Sequence, residues 1–196
     1  MSDIDQLLAT GKSIDTICVA TGLDPKGLPE FDSGPGLMDG LMKDERPVDA
    51  IGFLAHALPT REAVWWAWSC AREAAGESPS EAVQAALDAT GCWISEPSEA
   101  NRRAAYDKAQ KADLGTPAGC AGAAAFFSGG SMGPPDQPEM PPGEYMAAKV
   151  IAGAVLLAAT VDPTEAEGRL QEYLKRGMQV AERVHLWQPP GSGAHP

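Results

Sequence analysis

Histidine and cysteine, the side chains most often recruited to metal and nucleophile sites, are scarce here, with three and four copies in 196 residues. Cys18, Cys70, Cys92 and Cys120 are scattered, with no CxxC pair and no Cys/His spacing of the zinc type, so no metal site is read from them. Each lies in an apolar, helix-like context, where a free thiol behaves as a small hydrophobe. Long apolar runs are missing too. The longest, Val150 to Val161, has 12 residues with Lys149 at its edge; it is too short to span a bilayer and reads as a buried core helix. No stretch alternates apolar and polar residues long enough to make a strand. The run Ser128-Gly-Gly-Ser-Met-Gly133 lacks the GK[ST] of a phosphate loop, and Asp24, Asp32, Asp39 and Asp44 lack calcium-loop spacing. The start, Met-Ser-Asp-Ile-Asp5, is acidic and lacks the basic-then-apolar signal-peptide pattern, so a reducing cytoplasm is expected. No cofactor is expected.

Basic residues are few as well. The net charge is −12, and the first hundred residues, with seventeen acids against six bases, hold −11 of it. Such a surface argues against nucleic acid, whose phosphates demand positive charge, and against anionic lipid headgroups. It suits either plain solubility or a basic protein partner steered to the amino-terminal half.

What remains is helix. Ser2 can cap a short helix through Leu8, and Ser13 another through Ala20 that Gly22 ends. Leu23 to Gly36 holds too many Gly and Pro residues to stay regular. Helices follow over about 37–42, over 47–58 with Pro47 in the first turn, and from Thr60 to Ala75 before Gly76. Ser78-Pro79 opens one to about Thr90, Ser98 starts one over 99–111, and Thr116-Pro117 starts one ending before Gly129. Residues 129–143 make a long Gly/Pro loop, and helices over about 144–161 and 164–186 close the chain.

The expected architecture is therefore all-α, a single domain of short helices packed as hairpins. Helix starts recur loosely without a shared residue signature, so an irregular HEAT-like array is one form it can take. The expected organisation is an acidic amino-terminal segment and linker over 1–36, a helical domain over 37–187 and a disordered tail over 188–196.

Three of the five tryptophans, Trp65, Trp66 and Trp68, stand within four residues. On a helical wheel Arg61, Glu62, Ser69, Arg72 and Glu73 share one polar face within about 120° of Arg61. Val64 and the alanines at 63, 67, 71, 74 and 75 fill the opposite arc. Trp66 and Trp68 fall on the borders and are assigned to the core. Trp65 falls in the middle of the polar face. Either the same chain covers it, with the indole stacked on an arginine, or it awaits a partner, since tryptophan and arginine dominate binding hot spots. The face of Arg61, Trp65, Ser69 and Arg72 is the candidate partner-binding surface.

His56 shares a helix face with Asp49, but seven residues separate them by about 10 Å, too far for a charge pair. No nucleophile stands beside it in sequence. Cys70 lies on the apolar arc, where a thiol is inert, and a Cys70–His56 dyad across a hairpin is the one enzymatic alternative. Arg103, Tyr106 and Lys108 read as a solvated helix face. No catalytic residue is assigned and the chain is expected not to be an enzyme.

The block Phe53-Leu-Ala-His-Ala-Leu-Pro-Thr-Arg-Glu-Ala-Val-Trp-Trp-Ala67, with Trp93-Ile-Ser-Glu-Pro-Ser-Glu-Ala-Asn-Arg-Arg-Ala-Ala105, Thr116-Pro-Ala-Gly119 and Phe126-Phe-Ser-Gly-Gly-Ser131, resembles a bacterial family of small helical domains of unknown function. The resemblance covers roughly 48–160. Some members of that family are encoded near type VI secretion genes, which implies an accessory, adaptor or chaperone for a secretion machine. The Trp93-x-x-x-Pro97 turn before an Arg-Ala-Ala helix is also similar to helical immunity proteins, which implies the alternative of neutralising a basic toxin. Neither resemblance brings catalytic residues with it. The expected role is non-catalytic protein–protein interaction.

Overall fold

A computed structural model describes residues 5–134 and 136–189 of the chain. Those residues form nine α-helices and no named strand, the all-α class that the sequence predicts. They fall into two compact units. One is Thr60–Arg169; the other joins the chain before Thr60 to the chain after Arg169. The boundary expected between Gly36 and Leu37 lies inside a helix.

In the discontinuous unit, α1 (Ile14–Thr21) starts where the Ser13 hydroxyl accepts from Thr16 N–H and stops at Gly22, whose φ of 78° a side chain would disfavour. α2 (Gly34–Lys43) begins three residues earlier than expected because the Ser33 hydroxyl accepts from Gly36 N–H. α3 (Pro47–Ala57) packs against both α1 and α2. Of the helix expected to end at Leu8, the described residues 5–8 are not helical. Gln6 to Leu8 is extended, Leu7 bridges Ser13, and Leu8 is fully buried; Ser2, its expected cap, lies outside the described residues. α9 (Ala166–Arg183) buries Tyr173, Leu174, Gly177, Val180 and Ala181, a stripe at i, i+1, i+4, i+7, i+8. After it, Leu186 carbonyl accepts from Ala9 N–H at 2.8 Å, and Trp187 packs so closely on Gly34 that a Cβ there would meet the indole. Of the tail expected to be disordered, residues 190–196 lie outside the described residues.

The unit Thr60–Arg169 is built around α7 (Pro117–Phe126), which packs against α4 (Thr60–Ala74), α5 (Glu81–Ser95), α6 (Glu99–Lys111) and α8 (Met146–Thr160). Its sequence, PAGCAGAAAF, is buried at eight of ten positions, and its small residues let backbones approach. A Cβ on Gly119 would lie 2.0 Å from the Asp113 carbonyl oxygen, and one on Gly122 would lie 2.9 Å from the Ala109 methyl. α6 and the turn after it can sit this close to α7 only because glycine occupies both places. α5 departs from its expected bounds at both ends: the Ser80 hydroxyl, not that of Ser78, caps it by accepting from Val83 N–H, and the helix runs past Gly91 to bury Trp93.

Candidate functional site

The tryptophan helix α4 buries Ala63, Val64, Trp66, Ala67, Cys70 and Ala71, again a regular helical stripe. Trp66 has no exposed surface and is core, as expected. Trp68 is not. It stands half-buried at the edge of the stripe, donates its indole N–H to the Leu87 carbonyl of α5 at 2.8 Å, and lies against Gly91. A border position on a wheel carries both possibilities, and a hydrogen-bond acceptor on the neighbouring helix fixes this indole at the surface.

The four residues of the candidate face take separate roles. Arg61 reaches across to the end of α5, donating through Nε to the Ile94 carbonyl at 2.6 Å and through Nη2 to the Ser95 carbonyl at 3.1 Å. A cation there satisfies the last carbonyls of α5 and suits the negative end of its dipole. Ser69 donates back to the Trp66 carbonyl of its own helix. Trp65 is half-buried. Arg72 is exposed and lies over the indole of Trp68, its guanidinium carbon 5.5 Å from the ring centre. The structure thus brings together Arg72 and Trp68, and directs Arg61 and Ser69 to internal bonds.

Beside that pair run two adjoining hollows. The first, about 400 Å³, lies where α4 ends and α5 begins, with Trp68, Arg72, Glu77, Gln84 and Asp88 among its walls. The second, about 610 Å³, is more open and follows α5 past Gly91, Cys92 and Ser95 to Glu96 and Asn101. Trp68, Leu87 and Asp88 line both, so the hollows form one groove along the α4–α5 hairpin with the indole at its middle.

The other sequence candidates are placed as follows. His56 is 3% exposed, with Nδ1 2.8 Å from the Gly52 carbonyl one turn back. Cys70 is buried in α4, and the two belong to different compact units. Burial pushes the Cys18 thiol up to about 11, with the Asp15 carboxylate adding to it, and burial also raises that of Cys120. No helix of the described residues is long and apolar enough to cross a membrane.

Of the face of α6 expected to be solvated, Lys108 is exposed, whereas Arg103 and Tyr106 are half-buried beside a buried arginine. Arg102 is 4% exposed. It donates to the Phe126 carbonyl, to the Ser131 carbonyl at 2.7 Å, and to both oxygens of Glu99 at 2.6 and 2.9 Å. Arg103 adds bonds to the carbonyls of Ser131 and Gly133 at 3.1 and 2.8 Å. Tyr106 stacks on Phe126 at 4.2 Å between ring centres. The described residues of the loop expected over 129–143 hold no helix, and its start is tied down: a chain without regular structure must find partners for its carbonyls, and two arginine forks supply them at Ser131 and Gly133.

Comparison with known proteins places the chain more firmly. Residues 37–181 match the Family of unknown function (DUF6931). The chain belongs to that family. The match takes in the groove, the arginine pair and the helices that carry them, and extends on both sides of the 48–160 stretch that resembles such a family in sequence. No curated protein and no solved structure matches the chain.

Proposed function

We propose that this protein is a non-catalytic interaction module that binds another protein through the α4–α5 groove, with Trp68 and Arg72 as its anchors. The observation that carries this reading is the half-buried indole of Trp68, held in place by its bond to Leu87 and bordering both hollows. Aromatic and arginine side chains fixed beside a hollow are the residue types that concentrate binding energy. Of the face predicted from sequence, Arg72 is retained and Trp68 joins it. Trp65 is the neighbouring contact, Arg61 holds the hairpin, and Ser69 bonds within its own helix. The finer role, an accessory, adaptor or chaperone of a bacterial secretion machine in the cytoplasm, is supported by sequence resemblance to members encoded near such genes.

The test uses wild type, Trp65→Ala and Trp68→Ala as baits in extracts of the native cell, followed by titration of the captured protein against each purified variant. A loss of about 2 kcal/mol or more with Trp68→Ala at unchanged helicity supports the reading. If wild type and Trp68→Ala bind equally, the groove is not the contact. If Trp68→Ala instead unfolds the protein, the indole is a structural element and the reading fails.

A further inference from the structure

The groove differs along its length in charge as well as in shape. Trp68, Gly91 and Cys92 make an apolar ledge, whereas Glu77, Asp88 and Glu96 place three carboxylates along the walls against the one cation of Arg72. Two other carboxylates of the unit are matched by bases, Glu99 by Arg102 and Arg103 and Glu165 by Arg169. Those of the groove are not. Asp88 is held by the neutral amide of Gln84 at 2.7 Å, and among the described residues no base pairs with Glu77, Asp88 or Glu96. The second cation of the hairpin, Arg61, is committed to the carbonyls of Ile94 and Ser95. Asp88 borders both hollows, directly beside the indole ledge.

We infer that the occupant of the groove is a basic peptide segment, with a lysine or arginine side chain set at Asp88 and Glu77 and a large aliphatic or aromatic side chain one or two residues away lying on Trp68. This inference rests on the groove being a protein-docking surface and adds the chemistry of what docks. Charge complementarity selects the cation: an acidic segment would bring like charges together, which costs affinity and suppresses association. The indole face supplies apolar area beside it, and an arginine or lysine stem can lie partly on that face with its charge still at Asp88.

A random-peptide library displayed on phage and panned against the intact protein tests this. Wild type should enrich peptides with Lys or Arg next to an aliphatic or aromatic residue. The affinity of one such synthetic peptide should fall about tenfold or more with Asp88→Lys, and likewise with Trp68→Ala. Asp88 is exposed, so Asp88→Lys should keep the wild-type circular dichroism. A peptide lost with Trp68→Ala but bound unchanged by Asp88→Lys would overturn the cationic specificity and leave the docking surface standing. Enrichment of peptides without basic residues would do the same. If wild type enriches nothing, or only peptides indifferent to Trp68→Ala, both the docking surface and the inference fall.

Discussion

Arg102 lies over the ring of Phe126, its guanidinium carbon 4.4 Å from the ring centre, while its Nη1 donates to that same residue's carbonyl. One side chain thereby closes the end of α7 and, through Ser131, fixes the start of the long loop. Arg102→Ala should cost roughly 3 kcal/mol, because it strands the Phe126 carbonyl, removes the two-pronged partner of Glu99 and leaves only Arg103 on the Ser131 carbonyl. Arg102→Lys keeps the charge but loses the planar fork, and should still cost about 2 kcal/mol. Urea unfolding of the three proteins is the check. A lysine variant as stable as wild type would show that charge alone holds the loop.

Glu99 gives this cluster a pH signature. The hydrogen bond from Arg102, with a second from Arg103, holds its carboxyl down to about 2 against an ordinary value of 4.5. A carboxyl with a lowered folded-state value stabilises fully above its unfolded value, and that contribution disappears as the pH falls from about 4.5 toward 2. Because the Glu99 side chain is 55% exposed, water screens the pair, and the contribution should be no more than about 1 kcal/mol. Urea midpoints measured between pH 6 and pH 2.5 should fall more steeply for wild type than for Glu99→Gln. Parallel curves would remove Glu99 from the acid response.

These two residues also mark where sequence stops being informative. Helix starts were legible because Ser13, Ser98 and Thr116 are each followed by a residue whose N–H the hydroxyl accepts, a strictly local signal. Arg102 was not, since its partners at Phe126 and Ser131 are 24 and 29 residues away and no wheel contains them. The end of α5 was missed for a related reason. Gly91 looks like a stop, yet the helix continues because Trp93 beyond it is buried and Trp68 packs beside it. Of the site, the arginine and tryptophan content of α4 could be read, but which indole borders a hollow depends on α5, which only the packed hairpin supplies.

Glycines in two helices should respond to the same substitution with opposite sign. Gly119→Ala would place a methyl 2.0 Å from the Asp113 backbone oxygen in the turn between α6 and α7 and 3.1 Å from the Ala109 backbone oxygen of α6. It should destabilise by about 3 kcal/mol, as overpacking at a close backbone approach does. Gly52, inside α3, has nothing within 4 Å of the added methyl, so Gly52→Ala should stabilise by about 0.5–1 kcal/mol through helix propensity. Thermal unfolding of both variants decides it, and a Gly119→Ala protein with unchanged Tm would refute the close approach.

The cysteines offer a probe of both burial and the groove. Cys92 is exposed on the wall of the second hollow, whereas Cys18 and Cys70 are buried, and burial has pushed the Cys18 thiol up to about 11. Since the thiolate is the reactive form, N-ethylmaleimide at pH 7 should label Cys92 first and leave Cys18 and Cys70 unlabelled until the protein unfolds. Mass spectrometry of timed samples reads the order directly. A basic peptide lying on Trp68 covers the wall that carries Cys92, so adding it should slow that labelling several-fold, while Trp68→Ala should abolish the protection. Labelling of Cys18 as fast as Cys92 would contradict the buried setting of α1, and protection that survives Trp68→Ala would move the peptide away from the indole.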